Sequence, residues 1–102
     1  MPVPKTFDDA LRYNDMIGGS RMVEYDGMMV LVPVRDVRQA LDLLRDGPAA
    51  QILASVRTSI GRLFPAVKAG TASQRQAMDC AQDIAIWFAG EVLAGRQTLE
   101  IN

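Results

Sequence analysis

Few side chains here are suited to holding a proton, a metal or a nucleophile. Acidic pairs occur at Asp8-Asp9 and at Asp79 with Asp83. Paired carboxylates can share a proton, but both pairs fall near the opening turns of segments that read as helices. The helix dipole favours negative charge there without any catalytic role. Cys80 is the single cysteine. It lies on an apolar helical face with Ala77, Ala81 and Ile84, the setting of an inert thiol rather than a nucleophile. One cysteine cannot build a structural zinc site. The chain has no histidine, which removes the usual general base near neutral pH and the commonest metal ligand. Gly18-Gly19-Ser20-Arg21 is too short a signal for a phosphate loop and reads as a turn. No constellation runs a reaction, so the expectation is a non-catalytic protein with no metal and no cofactor.

The scaffold that carries these residues has 102 residues, 49% of them hydrophobic, with a formal charge of −1 from 11 basic and 12 acidic side chains. That fits one domain over residues 1–102, with residues 1–5 as an extended arm set by Pro2 and Pro4. The charge is not that of a general nucleic-acid binder, and no stretch approaches the roughly 20 apolar residues of a membrane span. The first residues lack the apolar core of a signal peptide, and a lone cysteine suits a reducing cytoplasm.

Thr6 and Asp9 imitate a capping box, and Phe7, Ala10, Leu11 and Ile17 predict a helix over 6–17. Asp26-Gly27 between Arg21–Tyr25 and Met28–Val34 predicts a two-residue hairpin. Its register pairs Tyr25 with Met28 and Val23 with Val30 on one face. Glu24 with Met29 and Met22 with Leu31 fall on the other. The second strand is apolar on both faces, so helices must cover both sides or a partner must cover one. Pro33 belongs at the strand's end or on an edge. Asp36 caps a helix over 36–46, with Val37, Ala40, Leu41 and Leu44 as its stripe, and Gly47 stops it. Pro48 opens a helix over 48–64 carrying Ile52, Leu53, Val56, Ile60, Leu63 and Phe64, and Pro65 ends it. Thr71 or Ser73 caps the last helix, with Gln74 or Gln76 completing the box. That helix reaches Ala94, Gly95 closes it, and Thr98–Ile101 alternates like a short strand. The predicted fold is α+β: an N-terminal helix, a β-hairpin, then three helices on a small antiparallel sheet.

The last helix is apolar all round at Ile84–Ala89. Ala77, Ala81, Ile84, Phe88 and Val92 form its expected core face, flanked by Cys80, Ala85 and Trp87. The opposite face becomes apolar at Ile86, Ala89, Gly90 and Leu93. An all-round apolar helix needs neighbours on two sides, either from its own domain or from a second copy. The expected function is a cytoplasmic protein-interaction module, a regulator or adaptor. It forms a homodimer through Ile86, Trp87, Ala89, Gly90 and Leu93, and Met28 and Met29 on the hairpin make a second contact with itself or with another protein. Glu91, inside the apolar face, either reaches water or pairs with an arginine, such as Arg57 or Arg12. The alternative reading takes helices 36–46 and 48–64 as a helix-turn-helix presenting Gln51, Ser55, Thr58 and Arg62 to DNA. Asp42 and Asp46 weigh against it, and Arg38 with Asp42 has the spacing of an ordinary surface pair.

Overall fold

The computed structural model describes residues 19–99. Two strands, β1 (Ser20–Tyr25) and β2 (Met28–Pro33), precede three helices, α1 (Val34–Asp46), α2 (Ala49–Ala69) and α3 (Gln74–Leu93). The class is α+β, as the pattern predicts. The arm over 1–5, the helix over 6–17 and residues 100–102 lie outside the described residues. Thr98 and Leu99, the described half of the expected last strand, are not in a strand.

Asp26 (φ 48°) and Gly27 (φ 79°) both take positive φ, which gives the hairpin turn whose twist matches its flanking strands. The pairing is Tyr25 with Met28, Glu24 with Met29, Val23 with Val30 and Met22 with Leu31, the register read from the sequence. Val23 and Val32 are buried, and Tyr25, Met28 and Val30 pack against the core beside them. Met22, Glu24, Met29 and Leu31 are exposed on the other face. The helices therefore cover one side of the sheet.

α1 starts two residues before the expected Asp36. The Val34 N–H donates to Gly19 O at 3.0 Å, so the first orphan donor of the helix is held by the open end of the hairpin. Asp36 instead sits in the first turn. α2 runs through Pro65 and stops at Ala69, a correction to the end expected at residue 64. Proline removes the bond to the carbonyl four residues back, but Gly61 and Pro65 are both exposed, so water can take that carbonyl. Val67 packs on the core beyond the proline, and Gly70 (φ 74°) caps the end with its N–H on Val67 O. These gains outweigh the local break.

Ser73 and Gln76 form a reciprocal capping box at the start of α3, with bonds of 3.1 and 2.9 Å. At its end, the Gly95 N–H donates to Val92 O and the Arg96 N–H to Glu91 O, the paired bonds of a Schellman cap. α3 is the shared support: α1, α2 and β2 all pack on it, whereas α1 and α2 meet each other far less. Cys80, Ile84, Ala85, Phe88 and Ala89 are each 1% exposed or less. The buried stripe is thus turned from the expected Ala77–Val92 line toward Cys80, Ala85 and Ala89.

Candidate interaction surface

Of the residues singled out for chemistry, Asp8, Asp9 and Gly18 lie outside the described residues. The Cys80 thiol is enclosed, and burial, assisted by the nearby Asp83 carboxylate, pushes its pKa up. The Ser59 hydroxyl donates to Asp83 Oδ2 at 2.7 Å, tying α2 to α3. Glu91 pairs with Arg96, whose Nε donates to its Oε2 at 2.7 Å. The partner is thus an arginine of the helix cap; Arg57 is exposed, and Arg12 lies outside the described residues. Asp42 lies 4.0 Å from Arg45, not paired with Arg38. Among the described residues no three His, Cys, Asp or Glu side chains group to hold a metal ion, and no helix is long and apolar enough to cross a membrane.

The seven residues expected at an interface do not share one surface. Ala89 and Gly90 are buried within the chain itself, Gly90 against α2. A Cβ on Gly90 would stand 2.8 Å from Leu53 Cδ2, so the small residues admit Leu53. Ile86 is half-buried and lines a cleft between α1 and α3 with Leu43 and Ala40. Trp87, the next residue, turns about 100° away. It meets Tyr25 edge to face, with centroids 4.9 Å apart. Leu93 is exposed near the end of α3. Met29 is exposed on the outer face of the sheet, while Met28 is half-buried on the inner one.

A different apolar surface emerges. Met22, Met29, Leu31, Leu43, Met78 and Leu93 are between 42% and 58% exposed. Met22 and Leu31 are cross-strand partners, and Met29 lies two residues from Leu31 on the same face. Leu31 and Met78 line one cleft, together with Pro33 and Ala81. Asp36 and Gln82 border both this cleft and the one lined by Leu43 and Ile86. The apolar surface therefore runs from the outer sheet face to α3, and a second apolar cleft on α1 lies beyond Asp36 and Gln82. Met22 and Leu31 were legible as a pair on the second hairpin face. Leu43 and Met78 were not, because each lies off the apolar stripe of its helix.

Gln51, Ser55, Thr58 and Arg62 are all exposed along α2. The Thr58 hydroxyl donates back to Ala54 O at 3.1 Å. α1 does not brace α2 as the first helix of a helix-turn-helix braces the second, since both rest mainly on α3.

No family model matches the chain, and neither a curated protein nor a solved structure matches it significantly.

Proposed function

We propose that this chain is a non-catalytic protein-interaction module that forms a two-fold homodimer. Its seam joins the outer sheet face to the exposed edge of α3. The observation that carries the reading is the continuity of Met22, Met29, Leu31 and Met78 across β1, β2 and α3, with Ile86 and Leu43 in a neighbouring cleft beyond Asp36 and Gln82. Scattered apolar side chains are normal on a protein surface, but a contiguous patch marks a contact. Three of these six residues are methionines, whose flexible thioethers adapt to the facing surface. A two-fold axis is the commonest way for one patch to be covered by its own copy. The free, buried Cys80 fits a cytoplasmic setting.

A DNA contact through Gln51, Ser55, Thr58 and Arg62 has weaker support. The net charge is −1, and Asp42 and Asp46 occupy exposed positions on α1.

Sedimentation equilibrium at micromolar concentration tests the homodimer. The expected mass is twice that of the 11.2 kDa chain. Leu31→Lys places a charge in the seam at an exposed position, so it should yield folded monomers with an unchanged circular dichroism spectrum. A wild-type protein that stays monomeric across the concentration range removes the reading. A Leu31→Lys protein that remains dimeric moves the seam elsewhere.

A further inference from the structure

β2 turns Met28, Val30 and Val32 toward the helices, and Met29 and Leu31 away from them. Both of its faces are therefore apolar, and a strand of that kind is ordinarily covered on both sides. Among the described residues the helices occupy the inner side, and Met22, Met29 and Leu31 stay between 50% and 55% exposed. The chain that precedes β1 is placed to supply the other layer. It enters at Gly19, whose carbonyl is held by the Val34 N–H at 3.0 Å. The φ of Gly19 is 86°, which turns the backbone at the open end of the hairpin. Gly18-Gly19 is a two-residue link, within the ordinary range between a helix and the strand that follows it. The helix expected over 6–17 has a length of ~18 Å, against ~20 Å for each six-residue strand, so it spans the face once. Its stripe of Phe7, Ala10, Leu11 and Ile17 is apolar. Asp8, Arg12 and Asp15 share the side turned away from that stripe, at the spacing i, i+4, i+7.

We propose that residues 6–17 cover the outer sheet face of their own chain, and that a second copy has to displace them. The link at Gly18-Gly19 puts Ile17 at the Leu31 end of the face and Ala10 at the Met29 end. A short tether gives an effective concentration in the millimolar range, whereas a second copy arrives at micromolar concentration. The segment thus has first claim on Met22, Met29 and Leu31, and it sets the concentration at which two chains pair. That competition rests on the homodimer reading; the cover itself does not.

Disulfide trapping in the full chain tests the cover. The protein carries Ala10→Cys and Met29→Cys, with Cys80→Ala to remove the native thiol, and is oxidised by copper phenanthroline at low micromolar concentration. It should form a disulfide within one chain, since that bond needs Cβ atoms ~4 Å apart. Leu43→Cys in place of Met29→Cys should not link, although Leu43 is 49% exposed on α1 and Met29 52%. The cover is overturned if neither pair links, if both link at the same rate, or if the Met29 pair links only between two chains. Ile17→Asp in the full chain tests the competition by releasing the face. Sedimentation equilibrium should then give a dimer dissociation constant at least tenfold below that of the wild type. An unchanged constant overturns the competition. If the wild type and Ile17→Asp both stay monomeric, the homodimer reading falls and the competition with it, and the disulfide alone decides the cover.

Discussion

A Cβ on Gly90 would stand 2.8 Å from Leu53 Cδ2 and 3.1 Å from Cδ1, both at the tip of a side chain. Gly90→Ala therefore sets two effects against each other. Alanine favours the helix by up to ~1 kcal/mol, and forcing Leu53 aside costs ~1–3 kcal/mol. The net expectation is a loss of ~0–2 kcal/mol in urea unfolding. Adding Leu53→Ala should remove the clash, so the two substitutions should be clearly non-additive. Cys80 makes a second prediction at this scale. The ordinary thiol value is 9.0, and burial holds the folded value above it. Below that pH both states keep the proton. Above it the unfolded chain releases a proton that the folded chain retains, so stability falls as pH rises toward the folded value. Urea melts from pH 7 to 10 should show Cys80→Ala declining less steeply than the wild type over that window, even if it starts less stable.

At the scale of elements, the Ser73–Gln76 box satisfies donors that α3 would otherwise leave to water. Ser73→Ala should cost ~1 kcal/mol, read as a fall in melting temperature of roughly 4–8 °C for a chain of this size. This cap was legible because it depends on residues three apart. So was the hairpin register, since Asp-Gly admits a two-residue turn and strand alternation then fixes every pair. The end of α2 was not, because proline is a local stop signal, while the burial of Val67 that carries the helix onward is a tertiary fact. The neighbours of α3 were also hidden. An all-round apolar segment says that it is covered, not by what, and Gly90 fits Leu53 as well as it would fit a second copy. Ile86 and Trp87 are adjacent in sequence yet open onto different clefts. The register put Met22, Met29 and Leu31 on one sheet face, but only the position of α3 decides which face looks outward.

Across the whole molecule, the proposed pairing couples folding to concentration. If two chains bury the Met22–Leu31 face together, the wild-type melting temperature should rise with protein concentration, and that of Leu31→Lys should not. Differential scanning calorimetry over a hundredfold concentration range reads this directly, and identical slopes would remove the link between seam and stability. The central position of α3 has a further consequence during synthesis. The hairpin, α1 and α2 leave the ribosome before the helix that joins them. A nascent chain stopped before Gln74 would present Val32, Ile60 and Phe64 to solvent instead of to Ile84 and Phe88. Growing chains should accordingly stay protease-sensitive and depend on a holding chaperone until the twentieth residue of that helix clears the exit tunnel.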